Sequence, residues 1–186
     1  KEGGGVVIHS RDKAGSGVET IKGVIRMAYT TDQVARVMTD LPNQKHFVPH
    51  MKSIRVLKQE KLASGRIKQL LHQVNALPVL KDRDVVLEAV TWSKPSAPAP
   101  VWRSTFKAVN RAGPAAHADR VRIRKLSGSW KIAPTRDGKG SVVTYVCHTE
   151  VGGTVPDFVA EMGQVGAIFD MLKNLRARCR ELYSAR

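Results

Sequence analysis

Few residues in this chain combine the types and the spacing that a reaction needs. Cys147 and His148 are adjacent in a segment that reads as a strand, so their side chains point to opposite faces and a thiol nucleophile is kept away from its imidazole base. His46 and His50 have the i, i+4 spacing of two metal ligands, but Pro49 lies between them and no Cys or further His stands near. A surface role is the expectation for both. There is no Walker-type glycine loop, no Gly-x-Ser-x-Gly and no His-Glu-x-x-His. No cofactor, no metal and no catalytic residue is expected from motifs.

The basic residues carry more information. Arg83 opens a segment on which Arg83, Val85 and Leu87 share one face while Asp84, Val86 and Glu88 share the other. If the Val85 and Leu87 face is the inner one, Arg83 projects inward, and a buried guanidinium must be paired because an isolated charge in an apolar site is costly. A structural ion pair with a neighbouring carboxylate is one reading of it. Arg120, Arg122 and Arg124 alternate with Val121 and Ile123, so the arginines project from one face of a strand. The plain reading is a solvated outer face. The functional one is docking to acidic headgroups, where each basic residue near the surface contributes about 1 kcal/mol. No aromatic residue lies between Arg120 and Lys125, which argues against a stacking platform for nucleic acid.

These residues sit in a chain of 186, with 42% hydrophobic and 25% charged residues, the usage of an ordinary globular protein. One domain, 1–186, is the expectation. Lys and Arg number 31 against 16 Asp and Glu, a net charge of +15 that draws the protein toward anionic partners. No apolar run is long enough to span a bilayer, since Asp157, Glu161 and Asp170 interrupt the C-terminal segment. The sequence opens on Lys1 without Met, from which a cleaved signal peptide and a periplasmic or secreted location are expected. Cys147 and Cys179 are the only cysteines, and a bridge between them is not favoured. Counted from Gly153, one lies about 20 Å back along a strand and the other about 40 Å along a helix.

The elements that position these groups can be read from periodicity. Short β-branched runs at 6–10 and 18–29 flank a turn containing two glycines. Thr30 or Thr31 caps a helix bearing Val34, Val37, Met38 and Leu41, which Pro42 ends, and a short helical or irregular stretch follows through Phe47. Strands are expected at 53–60, 66–76, 83–92, 101–109, 119–126, 128–134 and 141–150, most of them separated by turn chemistry. This is an antiparallel meander, hence an α+β class. After Pro156, apolar residues recur at steps of three and four from Phe158 to Leu182, which predicts one long amphipathic helix over the sheet. Gly163 and Gly166 within it permit either close packing or local bending.

Four stretches resemble the START lipid-transfer family. They are Asp40-Leu41-Pro42-Asn43, the run from Pro78 through Lys81-Asp82-Arg83-Asp84 to Val86, Gly128-Ser129-Trp130 through Pro134, and Thr144-Tyr145 through Gly152-Gly153-Thr154-Val155-Pro156. The ending around Leu172, Leu175 and Arg176 is similar as well. Val85 stands where the family often has an aromatic residue, and the family's leading helix is absent or very short.

The resemblance implies a helix-grip fold, a curved antiparallel sheet around the C-terminal helix, with a tunnel for one phospholipid or sterol-like lipid. It implies that Arg83 meets the polar end of that ligand, with Val85, Leu87 and Trp130 on the tunnel wall. Phe158, Met162, Val165, Phe169 and Leu172, a stripe that alone would be read as core, become the tunnel roof. The long helix and the 110–118 loop become its gate. A monomer that carries lipid and touches anionic membranes transiently through Arg120, Arg122 and Arg124 is the expectation. The alternative is an enzyme of the same fold, a cyclase or hydrolase, whose catalytic groups line the cavity and act on a polyketide or aromatic substrate.

Overall fold

The computed structural model describes residues 2–3, 5–12, 19–76, 80–150 and 157–184, with side chains for 5–10, 20–76, 80–150 and 164–184. Two strands, β1 (Glu2–Gly3) and β2 (Val6–Asp12), precede β3 (Glu19–Met27) and the first helix, α1 (Thr31–Thr39). A 3-10 helix, Leu41–His46, leads into β4 (Met51–Lys61), β5 (Ile67–Asn75), β6 (Asp82–Lys94) and β7 (Val101–Ala108). A second 3-10 turn, Asn110–Ala112, precedes β8 (Arg120–Arg122), β9 (Lys125–Pro134), β10 (Ser141–Glu150) and the long helix α2 (Asp157–Tyr183).

The strands form one sheet in the order β1-β2-β3-β10-β9-β7-β6-β5-β4. All these pairs are antiparallel, and β8 alone runs parallel to β6, off the main path. That parallel pair is a departure from the expected meander. The strand expected at 119–126 is reduced to the three residues of β8, and β9 begins at Lys125. The segment is drawn to β6 because the Ile123 amide donates to the Asp84 carbonyl at 2.9 Å.

Period-two alternation sets the faces. On β3, Ile21, Ile25 and Met27 are buried while Lys22 and Arg26 are exposed. The buried face receives α2 through Ile168, Leu172, Leu175 and Cys179. Gly23 of β3 is what lets the helix lie so close, since a Cβ there would stand 2.6 Å from a Leu172 methyl. Helix α1 starts at a capping box: the Gln33 amide donates to the Thr30 hydroxyl at 3.3 Å and the Thr30 amide to the Gln33 side-chain oxygen at 2.9 Å. Its Val34, Ala35 and Val37 are buried, and Pro42 in the following turn ends it. Among the described residues no helix is long and apolar enough to cross a membrane.

Candidate functional site

A cavity of about 160 Å³ lies between the inner face of the central strands and the wall made by α1 and the 3-10 helix after it. Strand alternation supplies the sheet side. Leu87, Ala89 and Thr91 of β6 face Trp102, Ser104 and Phe106 of β7 across the cavity floor. Leu126, Trp130 and Ile132 continue it on β9, and Tyr145 on β10. The opposite wall carries Met38, Leu41 and Phe47, and α2 contributes Met171.

An aromatic cluster closes one side. Tyr145 and Trp130 are direct cross-strand partners with ring centroids 4.3 Å apart, and Phe106 stacks on Tyr145 at 6.0 Å and 18°. Phe106 pairs with Gly128, and a Cβ on Gly128 would stand 2.5 Å from the tip of its ring, so only glycine admits the ring there. Burial raises the Tyr145 hydroxyl well above the usual tyrosine pKa, and the neighbouring Cys147 adds to the shift. The Trp102 indole N–H donates to Asp32 at 2.8 Å, which ties the sheet to α1.

The polar groups in the wall are mostly neutral. Gln69 and Gln73 of β5, Gln44 of the 3-10 helix, and Thr91 and Ser104 all line the cavity. The Thr91 hydroxyl donates to Ser104 at 3.0 Å. Arg103 also lines it, but its position on β7 alternates with the inward Trp102 and Ser104, and its side chain is exposed. Among the described residues no group of three His, Cys, Asp or Glu is placed to hold a metal.

Of the residues singled out in the sequence, Leu87 and Trp130 line this cavity. Val85 shares the face of Leu87 but is fully buried in a satellite core with Leu71 and Ile123. Arg83 lies farther along the same face; it is buried, and its guanidinium donates to the Lys81 carbonyl. Among the described residues neither lines the cavity. Leu172 and Phe169 are buried in the main core, with Val165 packed at its edge. The helix therefore offers that stripe to the sheet and turns Met171 to the cavity. The side chains of Phe158 and Met162 lie outside the described residues. Gly166 has open space where a Cβ would stand, so close packing is not what it serves.

The 110–118 loop sits elsewhere than beside the cavity. Gly113 packs against Val86, whose side chain alternates to the outer face, away from Leu87. Asn110 fastens the loop's start: its side-chain oxygen accepts from the Val86 amide at 3.0 Å and its amide donates to the Ile123 carbonyl at 2.8 Å. The arginine stripe is likewise divided. Arg122 grips Asp84 with two hydrogen bonds of 2.8 and 2.9 Å and is largely buried, Arg120 is half-buried and Arg124 is exposed. The expectation of one solvated face therefore fails for Arg122, because the parallel pairing of β8 sets it against Asp84.

Sequence reasoning missed most of the far wall and much of the floor. Period-two reading of 101–109 was enough to find Trp102, Ser104 and Phe106 on one face. The placement of Phe47 and Met38 over that face depends on long-range packing that no local period encodes.

Known proteins share this arrangement. A STAR-related lipid transfer protein from Xanthomonas axonopodis superposes with a TM-score of 0.81 at 25% identity, covering 97% of this chain and 96% of that one. Human StAR-related lipid transfer protein 5 gives 0.82 at 13% identity over 98% and 86%. An aromatase/cyclase from Streptomyces shares the fold more distantly, with a TM-score of 0.59 at 11% identity over 90% and 98%. A sheet wrapped about one long helix is what these structures have in common with this one. The model of the START domain matches residues 4–184, nearly the whole chain, and the chain belongs to that family.

Proposed function

We propose that this START domain holds one hydrophobic ligand in the cavity under α1 and carries it between membranes. The observation that supports this best is the lining itself: Trp102, Phe106, Trp130 and Tyr145 on the sheet face Met38 and Phe47 across unfilled space. A largely apolar pocket with a few neutral polar groups is the usual form of a small-molecule site. Its solved relatives named as lipid transfer proteins give the reading its class. The 110–118 loop is hydrogen-bonded to β6, so entry falls to movement of α2 rather than to that loop. A net charge of +15, with Arg124 exposed, favours reversible contact with an anionic bilayer.

An enzyme reading draws on the likeness to the aromatase/cyclase. Acid–base chemistry near neutral pH asks for a group that titrates there. The described residues lining the cavity include no His, Asp or Glu, and burial lifts the Tyr145 hydroxyl further above a range it does not reach even when exposed. Binding without turnover is the better-supported reading.

Native mass spectrometry of the purified protein, followed by organic extraction, tests the proposal. A stoichiometric hydrophobic adduct that transfers to acceptor vesicles is the expected result. An empty protein that takes up no member of a lipid panel, or one that converts what it binds, would overturn it.

A further inference from the structure

We infer that the ligand of this cavity is a compact, uncharged molecule, a ring-sized apolar body bearing one hydrogen-bond-donating hydroxyl. The inference rests on the cavity reading above and narrows it.

Size sets the first limit. A volume of about 160 Å³ is close to that of an engineered apolar cavity, roughly 150 Å³, which accepts a benzene, and well below the roughly 300–1,000 Å³ of common ligand pockets. One ring system fits such a space, and a pair of acyl chains does not. The planar walls of Trp102, Phe106, Trp130 and Tyr145 suit a flat body, which stacks against them.

The polar groups set the second limit. Each lining glutamine commits one amide N–H to a protein neighbour: Gln69 donates to Gln59 at 2.7 Å, Gln73 to Asn75 at 2.9 Å and Gln44 to the Met38 carbonyl at 2.7 Å. What each has left is a carbonyl oxygen, an acceptor, and the second N–H of its amide, a donor. Ser104 adds a hydroxyl. Its oxygen accepts from Thr91, so its own proton is available to donate. Neutral groups that both accept and donate match a ligand hydroxyl, which gives one hydrogen bond and takes another. A carboxylate or phosphate brings only acceptors. It would lose its hydration with only neutral groups, and no cation, to replace it. Among the described residues the one cation in the lining, Arg103, turns its side chain to the outer face.

Calorimetry and native mass spectrometry with naphthol, methoxynaphthalene, naphthoate and phosphatidylcholine vesicles test this. These probes separate ring, donor, charge and acyl chains. Naphthol is expected to form a one-to-one complex and naphthoate none. The methyl ether should bind about tenfold more weakly, the cost of leaving a buried acceptor unpaired. Gln73→Leu should erase most of the alcohol-over-ether preference while leaving the ether affinity little changed, whereas Ser104→Ala, which removes a donor that both oxygens can use, should weaken the two alike; general loosening of the fold does not produce that split. Equal binding of naphthoate and naphthol, or a one-to-one complex with phosphatidylcholine, overturns the inference and leaves the carrier reading standing. An extracted ligand with a charged head or two chains does the same. Failure of every probe together with an empty extract overturns both.

Discussion

His72 Nε2 and Asp84 Oδ2 lie 2.9 Å apart, both side chains buried, on the face of the sheet that points away from the cavity. Arg55 reaches His72 Nδ1 at 3.4 Å, and an arginine can only donate, so the proton on the other ring nitrogen is directed at Asp84. Arg122 completes the cluster from β8 and also donates to the Pro114 and Ala115 carbonyls at 3.2 Å. Four strands and a loop are thus joined by one carboxylate: β4 and β5 through Arg55 and His72, β6 through Asp84, and β8 with the loop before it through Arg122. The sheet's outer face is locked here while its inner face is left hollow.

Removing one member of a buried ion pair strands the other. Arg122→Met should therefore cost about 3–5 kcal/mol in urea unfolding, while Arg124→Ala, at an exposed position, should stay within about 0.5 kcal/mol. Equal effects from the two substitutions would show that the Asp84 clamp does not hold the loop.

Acid should act through the same carboxylate. Burial alone would raise the Asp84 pKa, but the hydrogen bonds from Arg122 and His72, with the charge of Arg122, outweigh it and hold the group below the usual aspartate range. The unfolded chain then takes up the proton first. Stability from Asp84 is complete above the ordinary aspartate pKa of about 4 and is lost as pH falls from there through the folded value. Urea midpoints measured on the acid limb should drop less steeply in Asp84→Asn than in the parent, from a lower starting stability. Parallel curves would remove Asp84 from the account.

Much of this frame was legible in the sequence, and the reasons differ by residue. Ile21 with Lys22, or Ile25 with Arg26, declare a strand with one wet face by simple alternation, and Leu172, Leu175 and Cys179 declare a helix by steps of three and four. Those periods are local, which is why β4 was expected at 53–60 and runs from Met51 to Lys61. Arg122 shows where locality ends. Alternation placed Arg120, Arg122 and Arg124 on one face, but the choice of Arg122 as the partner of Asp84 comes from a parallel pairing across 38 residues. Arg83 shares the face of Leu87 by the same alternation, but it lies outside the cavity, beyond Val85, with its guanidinium on the Lys81 carbonyl, and alternation alone does not show where along that face the cavity ends.

The two thiols should be inert in the folded protein. Burial pushes Cys179 up to about 12 and raises Cys147 as well, so neither presents much thiolate at mildly alkaline pH. Both are free and buried. A thiol reagent should label them only at the rate of unfolding, and both at once in denaturant. Prompt labelling of either under native conditions would mean that α2 or β10 opens far more often than this packing allows.

Two glycines should respond oppositely to the same methyl group. At Gly128 a Cβ would stand 2.2 Å from the Val146 carbonyl oxygen and 2.5 Å from the Phe106 ring, so Gly128→Ala must displace backbone or an aromatic wall. A loss of about 1–3 kcal/mol, or more, is expected. At Gly166 the space is open and the residue lies within α2, so alanine should stabilise by about 1 kcal/mol through helix propensity alone. Thermal and urea unfolding of the two variants decide the matter. If Gly166→Ala also slows ligand exchange while it stabilises, bending of α2 at this point is part of entry.

The void itself can be tested by filling it. Ala89 stands on β6 opposite Phe106 and Gln69, with its methyl group on the cavity floor. In a solid core, Ala89→Leu would overpack and cost about 1–3 kcal/mol. In a cavity the added carbons find room and bury apolar surface, worth about 0.8 kcal/mol for each methylene. The substitution should therefore leave stability equal or higher and abolish ligand binding in the same protein. That pairing is what separates a cavity used for binding from a packing defect: a stable variant that still takes up its ligand would place the binding site elsewhere on the molecule, and an unstable one would mean that the space between Leu87, Phe106 and Phe47 is already full.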